Sequence, residues 1–154
     1  MSLTITIQMT PDLRELITVL HGDVHEGIRA GMQNLLSEIE ARAVKKAPIR
    51  TGNLVNSITN YIVNRGLAGV VKATAPYASY VHWGTGLYGP YKQKIVIRPR
   101  YKKALFWPGA AHPVKKVEQK GQKGKPFFLK AIREINPQKV FEEGIRNYLT
   151  RRRW

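Results

Sequence analysis

Cysteine is absent from the sequence, and with it go disulfide scaffolds, cysteine nucleophiles and every thiolate metal site. Long apolar runs are absent too, so no segment reads as a membrane-spanning helix. The first residues, MSLTITIQMTPD, lack the basic start and apolar block of a secretory signal, and the expectation is a cytoplasmic protein. Acidic side chains are scarce: ten Asp and Glu stand against 26 Lys and Arg, a formal net charge of +16 on 154 residues. The scarcity is local. Asp12, Glu15, Asp23, Glu26, Glu38 and Glu40 fall in the first 40 residues, whereas residues 41–117 hold no acid and 14 Lys and Arg. Such a distribution makes a polyanion the leading partner class and says nothing of the fold.

What is present is ordinary in amount. The chain is 43% hydrophobic with 13 Gly and 9 Pro, a globular composition, and its length fits one domain over 1–154. Leu3, Ile5, Ile7 and Met9 alternate with Thr4, Thr6 and Gln8, a half-buried strand. Thr10, as N-cap, and Pro11 open a helix to about His21, stopped by Gly22. A longer helix follows over about 23–47, with Ile28, Met32, Leu35, Leu36, Ile39, Ala43 and Val44 forming one stripe. A strand over about 57–64, a connection through Arg65, Gly66 and Gly69, and a strand over 70–73 come next. The aromatic run 76–83 reads as one or two helical turns ended by Gly84 and Gly86. Residues 94–99 and 103–107 read as the two strands of a further hairpin, and 109–125 as a basic, mobile loop. A helix over 127–135, restarted at Pro137 and running to about 150, precedes a flexible cationic tail at 151–154. The expected fold class is therefore α+β: a small antiparallel β-sheet packed against the long helix of the N-terminal half, with a C-terminal helix.

Catalytic signatures are missing. His21 and His25 have the spacing of two helical metal ligands, but Gly22 interrupts them and no third ligand is near, so solvated histidines are the simpler reading. His82, among Tyr77, Tyr80 and Trp83, reads as a half-buried, hydrogen-bonded side chain. The basic middle offers no carboxylates for a divalent cation. Gly84-Thr85-Gly86-Leu87-Tyr88-Gly89 is no dinucleotide turn, since its third glycine comes late and Pro90 follows. No enzyme, cofactor or metal is expected.

The candidate polyanion-facing residues are Lys92, Lys94, Arg98, Arg100, Lys102, Lys103, Lys115, Lys116, Lys120, Lys123 and Lys125, in or around the expected hairpin and loop. Contacts of this kind address phosphates without reading sequence and weaken steeply with salt. No recognition helix or base-stacking signature accompanies them. A stand-alone, sequence-independent nucleic-acid-binding protein is one reading of this pattern.

Three blocks point to another. Residues 45–58 (KKAPIRTGNLVNSI), 77–86 (YASYVHWGTG) and 124–132 (GKPFFLKAI) occur in that order. Together they resemble the segments A-P-x-x-T-G-x-L-x-x-S-I, Y-A-x-x-V-E-x-G-T and P-F-L-x-P-A of a tail-component family. Its members are head–tail connector, neck or tail-completion proteins of lambdoid and related long-tailed bacteriophages and prophages. The matching positions are Pro48, Thr51, Gly52, Leu54, Ser57, Tyr77, Val81, Gly84, Thr85, Gly86, Pro126, Phe127 and Leu129. His82 stands where the family commonly has an acid, Lys130 where it has a second proline, and the long 92–125 insertion has no counterpart carried over. The resemblance implies a structural subunit that forms a ring, of six copies by the family's habit, beside other head-closure and tail proteins. Such a subunit would be found in the host cytoplasm during assembly and then at the head–tail junction of the virion. Duplex DNA would cross the ring with transient, non-specific contacts, and no membrane is involved.

Overall fold

The stripe read along the long helix is its buried face. In the computed structural model, which describes residues 2–8 and 22–151, helix α1 spans Gly22–Lys46. Met32, Leu35, Leu36, Ile39 and Ala43 on it are all less than 5% exposed. Each large side chain so buried is worth about 1.5–3 kcal/mol, which makes this stripe the centre of the fold. Pro48 follows within two residues, where the helix cannot continue. The helix expected over 10–21, His21 of the histidine pair, and residues 152–154 of the tail lie outside the described residues.

The stripe packs on three antiparallel strands, β1 (Leu3–Gln8), β2 (Ile58–Val63) and β3 (Ala68–Ala73), with β3 in the centre. The register aligns Leu3, Ala73 and Ile58 in one row and Ile5, Val71 and Asn60 two residues on. Ile58, Val71 and Ala73 are buried. Asn60, at the edge of the same face, accepts a hydrogen bond from Gln33 Nε2 at 3.1 Å and donates one to Glu40, which ties the sheet's rim to α1. Gly69, expected in the connection between strands, lies inside β3. A side chain there would overlap Leu36, whose Cγ lies 2.9 Å from where a Cβ would stand. This glycine therefore marks close helix–sheet packing rather than a turn. The turn itself is Asn64–Gly66, with positive φ at all three residues.

Thr51 and Gly52 make the bend after α1 as expected, Gly52 at φ +79° heading the one-turn helix α2 (Asn53–Asn56). Leu54 is buried, and Ser57 Oγ donates to the Leu54 carbonyl at 2.7 Å. After helix α3 (Ala78–Trp83), strands β4 (Ile95–Ile97) and β5 (Val117–Gln119) form a separate two-stranded ribbon. Helices α4 (Phe127–Arg133) and α5 (Pro137–Arg151) end the chain. Phe127, Phe128 and Ala131 are fully buried on α4, which packs on α1. Asn136 caps α5, its Oδ1 accepting from Lys139 N at 3.2 Å, with Pro137 at the first helical position. Glu134, between α4 and α5, is bound by Lys46 Nζ at 2.6 Å, and that lysine holds its carboxyl below the usual range.

Helices α1 and α5 pack closely through glycine. A Cβ on Gly144 would stand 2.7 Å from Gly31 Cα and 2.9 Å from the Ala30 carbonyl oxygen. Asn34 Nδ2 donates to the Val140 carbonyl at 2.8 Å across the same crossing. The chain divides into two compact units: Met1–Ala78 with Phe127–Trp154, which holds the helices and sheet just described, and Ser79–Pro126.

Candidate functional site

The second unit holds the candidate site. Its frame is the segment Gly84-Thr85-Gly86, which does more than stop α3. Gly84, at φ +86°, closes that helix by donating to the Tyr80 carbonyl at 2.9 Å. Thr85 N then donates to the Gln122 carbonyl at 2.9 Å, and Gln122 N returns a bond to Thr85 Oγ1 at 3.0 Å. Leu87 N reaches the Lys120 carbonyl at 2.8 Å, and Lys125 N the Val81 carbonyl at 2.8 Å. Gly84 and Lys123 form an isolated antiparallel bridge. The two backbones lie so close that glycine recurs on both sides: a Cβ on Gly86 would stand 2.8 Å from Gly121 Cα, and one on Gly124 would stand 2.6 Å from the Trp83 carbonyl carbon. The motif thus fastens the return of the basic segment, a pairing that the G-Q-K-G spacing at 121–124 could have suggested.

The expected hairpin of 94–99 with 103–107 is not what forms. Strand β4 pairs with β5, Ile95 opposite Gln119 and Ile97 opposite Val117, and residues 103–107 form no strand. Only Leu105 is paired, bonding Val114 in both directions at 2.8 and 3.0 Å in the segment between β4 and β5. Charge favours the pairing that forms. Pairing two stretches that carry only cations brings like charges together, whereas β5 supplies Glu118, the one acid of residues 79–126. Lys116 Nζ binds it at 2.5 Å and Lys94 Nζ at 3.3 Å. These lysines, Lys116 foremost, hold the Glu118 carboxyl below its usual range. The stretch read as a basic loop, 109–125, accordingly contains β5.

All eleven polyanion-facing candidates belong to this unit, and every one is exposed. Aromatic rings are exposed among them: Tyr91 and Tyr101 almost fully, with Arg100 5.9 Å from the Tyr101 ring and Lys123 5.7 Å from that of Tyr88. Of the family-like positions, Val81, Gly84, Thr85 and Gly86 hold this frame. Leu54 and Phe127 are buried in the other unit, while Tyr77 and Leu129 are exposed. Among the described residues no group of three His, Asp or Glu is arranged to hold a metal, and no helix is long and apolar enough to cross a membrane.

His82 is 3% exposed, its ring edge-on to Trp83 at 4.6 Å between centroids. Burial pushes its imidazole below the ordinary value of 6.5. The folded chain thus resists a proton that the unfolded chain accepts, so the stabilising difference is full above 6.5 and is lost as pH falls below it. Urea midpoints measured at pH 7.5 and pH 5 should drop for the native chain and drop less for His82→Gln. Equal drops would show that His82 is not held neutral. Glu118 and Glu134, whose carboxyls are held below the ordinary 4.5, add their own loss only under more acid conditions.

Residues 12–84 match the family model HK97-gp10-like, described as "Bacteriophage HK97-gp10, putative tail-component". The match ends at the first glycine of the frame, ahead of the cationic segment. No curated protein and no solved structure matches the chain.

Proposed function

We propose that the chain, whose residues 12–84 match the HK97-gp10-like model of phage tail components, is a ring-forming connector or tail-completion subunit. In this reading copies join head to tail in a closed ring between the portal complex and the tail, and DNA passes through. The observation that carries it is the cationic unit: eleven exposed Lys and Arg with a single acid already bound by two of them. A charge set of this kind gives many weak, exchangeable phosphate contacts and no sequence reading, which suits DNA that must move.

Two measurements test the reading. Negative-stain imaging, with capsid or tail partners added, should reveal closed rings; a monomer that binds tightly and sequence-selectively would instead favour a stand-alone nucleic-acid-binding protein. Random duplex DNA should bind weakly at low salt, with affinity falling linearly on a log–log salt plot. Replacing Lys120, Lys123 and Lys125 together by Gln should lower that slope by up to about 3, at roughly 0.9 per phosphate contact. Binding that is absent at low salt, or indifferent to salt, contradicts the DNA-guiding role.

A further inference from the structure

The ribbon of β4 and β5 has two unlike sides. On one, Lys94 and Lys116 converge on Glu118. On the other, Ile97 and Val117 stand opposite one another and, with Leu105, Phe106, Trp107 and Gln119, line an open cleft of about 290 Å³. The cleft's aromatic wall is poorly covered: Phe106 is 67% and Trp107 46% exposed. A lone two-stranded ribbon is marginal in water unless something packs on a face of it, and an exposed apolar patch is a place where a partner can pack. Arg100, Lys102, Lys103 and Lys115, near the cleft in the chain and outside the Glu118 ion pairs, are exposed cations.

We propose that this cleft docks an apolar side chain presented on an acidic segment of another protein. Charge complementarity selects the occupant. A second copy of this chain would bring its own +16 against an already cationic unit. Duplex DNA satisfies the unit's cations and offers nothing to the apolar wall. Single-stranded DNA could stack bases on exposed rings, but here the aromatic pair shares a concave wall with Ile97, Leu105 and Val117, which suits an aliphatic or aromatic side chain entering end-on. An acidic segment with an apolar anchor meets both the unit's cations, through steering and specificity, and the cleft, through burial. The proposal goes beyond the connector reading and stands whether or not the copies close a ring.

The test uses the full chain and fluorescence anisotropy with four probes. These are a labelled twelve-residue peptide of Glu and Asp with a central leucine, the same peptide with serine in its place, an oligothymidylate and a random DNA duplex. Burying the leucine is worth about 1.5–3 kcal/mol, so the leucine peptide should bind roughly tenfold or more tighter than the serine peptide. Joint Phe106→Ser and Trp107→Ser should bring the leucine peptide down to the serine level and leave duplex binding within about twofold. Both side chains are exposed, and Phe106→Lys alone provides the same comparison if the double change disturbs the ribbon. Equal binding of the two peptides overturns the proposal, as does a double variant that binds the leucine peptide as well as the native chain. So does a variant that loses duplex DNA as fully as it loses peptide. An oligothymidylate that binds tighter than the leucine peptide and is lost in the double variant overturns it in favour of a single-strand platform. A failure of the ring reading would appear in imaging alone and leave these affinities unchanged.

Discussion

Gly144→Ala lowers the stability of the helical unit, while Gly27→Ala, one turn from the same crossing, preserves or raises it. Both glycines sit in helix interiors, where alanine is favoured by roughly 0.5–1 kcal/mol on propensity alone. The surroundings then decide the sign. At Gly27 a Cβ would meet Tyr148 Cδ1 at 3.6 Å and Ile145 Cγ2 at 3.7 Å, ordinary contact distances. At Gly144 it would meet Gly31 Cα at 2.7 Å and the Ala30 carbonyl oxygen at 2.9 Å. Those atoms are helix backbone and cannot rotate away, so α1 and α5 must separate. Separation would also stretch the Asn34 bond to the Val140 carbonyl. Overpacking of this kind costs about 1–3 kcal/mol, and a carbonyl left without its donor adds to it. A net loss of about 2 kcal/mol corresponds to a fall of roughly 4–8 °C in Tm for a chain of this size. Thermal unfolding followed by circular dichroism reads both variants. A Gly144→Ala protein as stable as the native one would mean that the two helices are free to shift, and the close crossing would be refuted.

Gly86→Val releases the cationic unit from its frame and leaves the other unit folded. The position is at φ +64°, where a β-branched residue is a true outlier at a cost of about 1–3 kcal/mol. The new side chain also runs into the backbone of Gly121, 2.8 Å from where its Cβ would begin. With the approach lost, the Thr85–Gln122 and Leu87–Lys120 bonds are lost too, at about 1 kcal/mol each. The sum, roughly 3 kcal/mol or more, corresponds to amide exchange at least about a hundredfold faster at Thr85, Leu87 and Lys125. Amides of the central strand, such as that of Val71, should exchange as before. Trypsin should then cut the variant first at the lysines of 92–125. Uniform loss of protection across both units would show that the frame supports the whole chain, and unchanged protection would show that it supports nothing.

How much of this was legible in the sequence depended on whether the deciding contacts were local. The α1 stripe announced itself because Met32, Leu35, Leu36 and Ile39 recur with the period of a helix and all face one core. The alternation of β1 and the break at Pro137 were readable for the same reason. Gly69 was misread because a glycine beside Arg65 and Gly66 looks like a turn, and only the position of Leu36 on another element reveals why β3 needs it. Residues 103–107 have the composition of a strand, yet strand pairing is a choice among partners. Here the strand that pairs with β4 carries Glu118, fourteen residues past Ala104, and the stretch 103–107 carries no acid. The crossing of Gly31 and Gly144 left no signal of its own, since each glycine is unremarkable until the two helices are known to meet. In the candidate site the cations were legible from composition. Their frame and the apolar side of the ribbon were not, because both depend on which backbone returns beside which.

The bonds from Thr85 and Leu87 to Gln122 and Lys120 have a consequence for how such a chain can vary. They fasten the cationic segment at its root, where it leaves and where it comes back. Everything between Leu87 and Lys120 is an excursion whose ends are already closed. Lengthening a closed excursion adds only about 0.6 kcal/mol per doubling in closure entropy. The segment can therefore be lengthened, shortened or exchanged at small cost in closure entropy. The root behaves as a socket, and the segment it holds is the replaceable part.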